Sequence, residues 1–218
     1  QGTGVAACSW IAGAGGPPCT VIVKLFADGS VNLNMGASDI GTGTKTVMAM
    51  VVSEELGVDP GVIQVEHADT ATTQYATASG GSKTVPTEAP TVRNAAVAVK
   101  RELLAMAGQE LGADPAQLSL GAGWVVQGST GSRKMRITDV QGLADRGVLV
   151  GVGYRGPNPD DKVINPFGAQ FCEVEVNTRT GELAIVRFLG AHDSGRVMSR
   201  LTYDNQVYGG ITMGIGFA

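Results

Sequence analysis

One six-residue pattern occurs twice in varied form, and it limits how the middle of the chain can fold. Glu55-Leu56-Gly57-Val58-Asp59-Pro60 is echoed by Glu110-Leu111-Gly112-Ala113-Asp114-Pro115. In each copy a glycine stands where a helix would stop, since glycine takes the left-handed backbone of a helix C-cap without a Cβ clash. Asp-Pro then turns the chain. A short segment follows, 62–66 in the first copy and 117–120 in the second. Each copy therefore closes a helix and hands on to a new segment. The first helix is expected over residues 46–56. The second is expected over about 88–111, with Val92, Ala95, Ala96, Val99, Leu103, Leu104, Ala107 and Leu111 on one face.

A second echo concerns hairpins. Residues 19–38 read as strand, turn at Ala27-Asp28-Gly29-Ser30, and strand. Residues 169–192 read the same way about Asn177-Thr178-Arg179-Thr180-Gly181-Glu182. Both second strands lead through Asp-x-Gly, at Asp39-Ile40-Gly41 and Asp193-Ser194-Gly195, towards a helix; the later helix starts near Leu201. The summed order is β-β-α-β-α, a further short strand or hairpin, an irregular stretch over 128–168, then β-β-α. This predicts an α+β fold, a two-layer mixed sheet with helices and internally duplicated β-β-α units. No linker divides it, so residues 1–218 are expected to form one domain with two related halves.

Composition narrows the functional classes. The 218 residues are 43% hydrophobic and carry a net charge of −4. An acidic balance speaks against a nucleic-acid surface, and no apolar run reaches membrane-spanning length. The three cysteines, Cys8, Cys19 and Cys172, form no CxxC pair and read as free or buried thiols. The two histidines, His67 and His192, share no metal-ligand spacing. His192 beside Asp193 is not a dyad, because neighbours on a strand point apart. The chain starts at Gln1 and closes on an apolar, glycine-rich run from Gly209 to Ala218, which leads us to expect a piece of a longer polypeptide.

Two loops suit an anionic ligand. Asp39-Ile40-Gly41-Thr42-Gly43-Thr44-Lys45-Thr46 places paired glycines at the mouth of a helix, where unpaired N–H groups and the positive end of the dipole are expected. Thr77-Ala78-Ser79-Gly80-Gly81-Ser82-Lys83-Thr84 offers glycines, short hydroxyls and one cation. Thr84 or Thr87 could cap the helix that follows. A third stretch, Asn205 to Gly216, packs four glycines into eight residues, each costing roughly 1 kcal/mol in a helix. That density needs a reason, such as close approach to a cofactor or another helix.

These three stretches occur in order with Phe171-Cys172-Glu173-Val174-Glu175-Val176 and Thr180-Gly181-Glu182. Together they resemble the molybdenum hydroxylases of the xanthine oxidase and aldehyde oxidoreductase family, over nearly the whole chain. The match is to the second molybdopterin-binding domain of the large subunit. The Ile40-Gly41-Thr42-Gly43-Thr44 form, with Thr42 where many members have Gln, looks most like the bacterial aldehyde oxidoreductase branch.

The resemblance implies a molybdopterin cofactor, in the cytosine dinucleotide form, with molybdenum. It implies binding by Gly41, Thr42, Gly43 and Thr44 against the pterin. Ser79, Gly80, Gly81, Ser82, Lys83 and Thr84 would lie beneath the phosphate and the metal, and Gln206 would hydrogen-bond the pterin. The family hydroxylates carbon with oxygen from water, and the electrons pass to iron–sulfur centres and FAD on partner domains or subunits. Its catalytic glutamate belongs to a Gly-Glu motif on the far side of Ala218. Gly181-Glu182 is a hairpin turn and not that motif. The chain alone is therefore expected to be inactive without the remainder of the large subunit. A naturally split subunit and a non-catalytic α+β binding module are the alternatives.

Overall fold

The computed structural model describes residues 1–10, 16–128, 131–161 and 164–218. In chain order its strands and α-helices are β1 (Gly2–Ser9), β2 (Thr20–Phe26), β3 (Val31–Met35), α1 (Thr44–Leu56), β4 (Ile63–His67), α2 (Thr84–Leu111), β5 (Leu118–Gly121), β6 (Trp124–Gln127), β7 (Ser132–Arg136), α3 (Gln141–Arg146), β8 (Val148–Tyr154), β9 (Phe167–Val176), β10 (Leu183–Asp193) and α4 (Arg200–Phe217). They fall into two compact units. One takes the N-terminal strand and the segment from Asp160 to Ala218; the other takes the described residues between, as far as Pro159.

The larger unit is built on a mixed sheet in the order β4-β3-β2-β8. The β2–β3 hairpin closes as its turn residues dictate. The Asp28 carboxylate accepts from the Ser30 backbone N–H at 2.9 Å and its hydroxyl at 2.6 Å, and Gly29 takes φ 85°. α1 carries the chain over to β4, which pairs parallel with β3, while β8 runs antiparallel along the other edge of β2. Val21, Val23 and Leu25 alternate inward on β2 and are fully buried. The α2 face predicted from periodicity is buried from Val92 to Ala107, with Leu111 half-buried.

The two echoed turns are structural copies. Gly57 and Gly112 cap their helices in the left-handed region, at φ 63° and 61°. Asp59 then accepts from the Gly61 N–H at 2.7 Å, and Asp114 from the Ala116 N–H at 2.9 Å. One leads into β4 and the other into β5. β5 opens a small antiparallel sheet, β5-β6-β7, in which Arg133 and Arg136 lie 5.4 and 5.5 Å from the Trp124 ring centroid.

The stretch read as irregular is more ordered than its composition suggests. It holds β7, α3 and β8; Ser129, Thr130, Lys162 and Val163 of that stretch lie outside the described residues. On the buried face of β8, Gly151 and Gly153 serve packing. A Cβ on Gly151 would stand 2.1 Å from the Ala95 carbonyl oxygen. One on Gly153 would stand 2.0 Å from that of Thr91. The backbone of β8 therefore lies directly on α2.

The smaller unit is an antiparallel sheet, β1-β9-β10, with α4 following it. Its hairpin turn is held by Asn177, whose side chain accepts from the Arg179 N–H at 3.0 Å. Ser199 caps α4 through the Thr202 N–H. The glycines of the last stretch thus sit in a regular helix, and no residue of α4 is buried.

Candidate functional site

The first predicted loop is closed by its own acid. Asp39 Oδ1 accepts from the backbone N–H of Gly41 at 2.9 Å and of Gly43 at 3.2 Å, and Oδ2 accepts from that of Lys45 at 3.1 Å. Partial burial works to raise the Asp39 pKa, but these backbone donors together hold it below the usual carboxylate range. This corrects the expectation that the mouth of α1 offers unpaired N–H groups. What it presents is a rigid, glycine-kinked edge: Gly41 at φ 95° and Gly43 at φ 82°, an exposed Ile40, and the Thr42 and Thr44 hydroxyls 3.2 Å apart.

The second loop stands differently. Gly81 and Ser82 both have positive φ, 65° and 56°, and Lys83 follows in the right-handed region at φ −104°. Successive residues of opposite hand turn their N–H groups to one side, the anion-accepting arrangement called a nest. α2 then runs for 28 residues, and no side chain caps its start. Neither Thr84 nor Thr87 caps, contrary to expectation. α2 begins at Thr84, a turn earlier than predicted, with Pro86 in the first turn and Pro90 inside it. The positive end of a long helix is therefore left to a ligand or to solvent. Nothing stands within 4 Å of where a Cβ on Gly80 or Gly81 would lie.

The two loops meet. Ser79 Oγ lies 3.1 Å from Ser38 Oγ and 3.1 Å from the Ser38 carbonyl oxygen. Ser38 is the neighbour of the second loop that the sequence did not reveal. Gly36, just before it, has the Gln74 carbonyl oxygen 2.0 Å from where its Cβ would be, so the connection from β4 passes tightly over the end of β3. Gln206 belongs to the other unit, where it stands exposed on α4. There too Arg200 is tied to Asp204 at 2.7 Å, and His192 meets Gln170 at 3.0 Å rather than Asp193.

Beneath the second loop is a polar cluster buried in an apolar setting. Thr87, Glu88 and Thr91 on α2 are 0%, 1% and 0% exposed, and Cys19, just before β2, is 3% exposed. The Thr91 hydroxyl donates to the Thr87 carbonyl at 3.0 Å. Thr87 Oγ1 has no hydrogen-bond partner, and the Glu88 carboxyl has only the weak donor of the Cys19 thiol beside it. Burial raises the Glu88 pKa, with the neighbouring Cys19 thiol opposing weakly. Burial, and then the Glu88 carboxyl, push the Cys19 thiol up to about 12.

Further orphaned polar atoms, Asn34 Oδ1, His67 Nδ1 and Gln74 Oε1, belong to the same end of the sheet, where β3 and β4 finish. These orphaned atoms are mostly acceptor oxygens, so what suits an anionic group at this end is the Gly81–Lys83 nest and the start of α2. Among the described residues no three His, Cys, Asp or Glu side chains gather as a metal site. A surface cleft of this unit lies at the opposite end of α1, around Gly57, Leu120 and Ile137, and contains none of these residues.

A family model described as molybdopterin cofactor-binding domain matches residues 1–218. The chain is 29% identical over 203 residues to the 6-hydroxypseudooxynicotine dehydrogenase complex subunit gamma of Paenarthrobacter nicotinovorans, covering 90% of this chain and 25% of that protein. It is 30% identical over 195 residues to the putative xanthine dehydrogenase molybdenum-binding subunit of Escherichia coli K12, covering 88% and 26%. Quinoline 2-oxidoreductase from Pseudomonas putida 86 superposes with a TM-score of 0.84 over 96% of this chain and 29% of that one; at 20% identity the likeness is one of fold. The chain spans about a quarter of the length of these curated relatives.

Proposed function

The chain belongs to the molybdopterin cofactor-binding domain family of the molybdenum hydroxylases, and from that premise we propose that it is part of a subunit that hydroxylates aldehydes or N-heterocycles. The start of α2, with Ser79, Gly80, Gly81, Ser82, Lys83 and Thr84, takes the anionic end of the cofactor. The edge formed by Gly41, Thr42, Gly43 and Thr44 packs against the flat pterin. The observation that carries this reading is the Ser38–Ser79 contact, which brings two loops far apart in sequence to one place beside an uncapped helix.

The bound cofactor supplies the redox chemistry. This chain's residues bind and orient it. The glutamate base lies elsewhere in the subunit, so the chain alone turns over nothing. The cofactor is the cytosine dinucleotide form. Electrons leave through iron–sulfur centres and FAD on partner domains or subunits, since three scattered cysteines cannot hold a cluster. One relative is named as a subunit of a complex, which supports such partners.

The test uses the full-length parent. Its molybdenum is measured by mass spectrometry and its pterin by fluorescence after release. Gly80→Val and Lys83→Glu should each lower both several-fold in protein that still folds. A well-folded, active parent with neither molybdenum nor pterin would leave only a non-catalytic binding module.

A further inference from the structure

Glu88 has a chemical problem that the cofactor seat does not explain. A carboxyl that is 1% exposed, with only the weak donor of the Cys19 thiol beside it, cannot carry charge cheaply. It lies one helical turn inside the start of α2, and one turn further on the helix is locked to β8 by the contact between Gly153 and the Thr91 carbonyl. The helix therefore cannot rotate Glu88 out to water without breaking that contact.

The groups acting on this pocket are few. Cys19 faces it from the segment before β2, and Arg155, after β8, acts on Cys19. From α1 the nearest charged partner of α2 is Glu55, which is engaged by Arg93 and Lys100. From α3, Arg146 pairs with Glu102 much further along α2. The strand β8 contributes no charged side chain. Among the described residues, the cation that acts on this pocket is Arg155, and it does so through Cys19.

We propose that Glu88 is the pH-responsive element of the anion seat: neutral, it lets an anionic group rest on the first turn of α2, and ionised, it weakens that seat. This rests on the function proposed above. The sign follows from the direction of the shift. An unfolded glutamate loses its proton near pH 4, whereas the folded one keeps it to higher pH. Stability is therefore lost as pH rises above that range, until the folded group ionises as well. An anionic ligand adds to this, because a new negative charge one turn below it repels it.

The experiment follows cofactor retention in the full-length holoprotein between pH 5 and 9, as pterin fluorescence remaining after gel filtration. The wild type should release cofactor several-fold faster at the alkaline end, and Glu88→Gln, which keeps shape without charge, should flatten the profile. Thermal midpoints of both proteins across the same range should diverge with rising pH, Glu88→Gln becoming relatively more stable. If Glu88→Gln fails to fold, infrared titration of the unmodified protein should still show a carboxyl that keeps its proton above the ordinary glutamate range. Parallel retention profiles, or no such carboxyl, overturn the proposal while leaving the seat intact. A folded parent that never holds pterin overturns both.

Discussion

Both oxygens of Asp39 are used inside its own loop, on three backbone N–H groups of residues 41–45. Removing them leaves those donors without a partner at the start of α1, so Asp39→Ala should cost about 1–2 kcal/mol in urea unfolding. The loop donors hold the folded pKa down, so this stabilisation is present above about pH 4 and fades as pH falls through the folded value. The difference between wild type and Asp39→Ala should therefore shrink in acid. At this scale the sequence was legible in residue types but not in their use. Asp39-x-Gly marked a turn, yet that the acid would take the N–H groups expected to receive a ligand depends on which way its side chain swings. Ser38 and Glu88 gave no signal, because their roles come from a residue 41 positions away and from a strand on the far side of α2.

Among elements, α2 carries most of the fold, and two devices fix it. Glu55, on α1, bridges to Arg93 at 2.7 Å and to Lys100 at 3.2 Å. Being partly exposed, this network should be worth only about 1 kcal/mol, so Glu55→Ala should lower stability modestly and less at high salt. The glycines of β8 matter more. Gly153→Ala forces a methyl group into the Thr91 carbonyl and should cost about 3 kcal/mol, readable as a lowered midpoint with little change in denaturant slope. Local signals revealed the hairpins, since Asp28-Gly29 and Asn177 with Gly181 fix their turns within a few residues. They did not reveal β1, whose sheet partner among the described residues is β9, at the other end of the chain. Nor did they reveal β8, whose glycines make sense only once α2 lies against them.

For the whole molecule, the telling property is how much apolar surface stays open. Leu183 and Leu189 on β10 are 62% and 56% exposed, Leu201 on α4 is 76% exposed, and Val150 and Tyr154 on β8 are 50% and 67% exposed. Surfaces of this kind mark faces that meet other protein. Prepared as this 218-residue chain, the protein should bind a hydrophobic dye strongly and show no turnover of aldehyde or xanthine with an artificial electron acceptor. The full-length parent should do the reverse, and turnover by the chain alone would refute the division of labour proposed above.

The backbone-on-backbone contact of β8 and α2 has a mechanical consequence. At Gly153, where the nearest atoms of α2 are all backbone, helix and strand have no cushion, and a small displacement at one must reappear at the other. Whatever settles on the first turn of α2 is felt along β8 and so by β2 beside it. Amide hydrogen exchange along residues 148–154 should slow when the distant seat fills, even though no atom of that strand touches the guest.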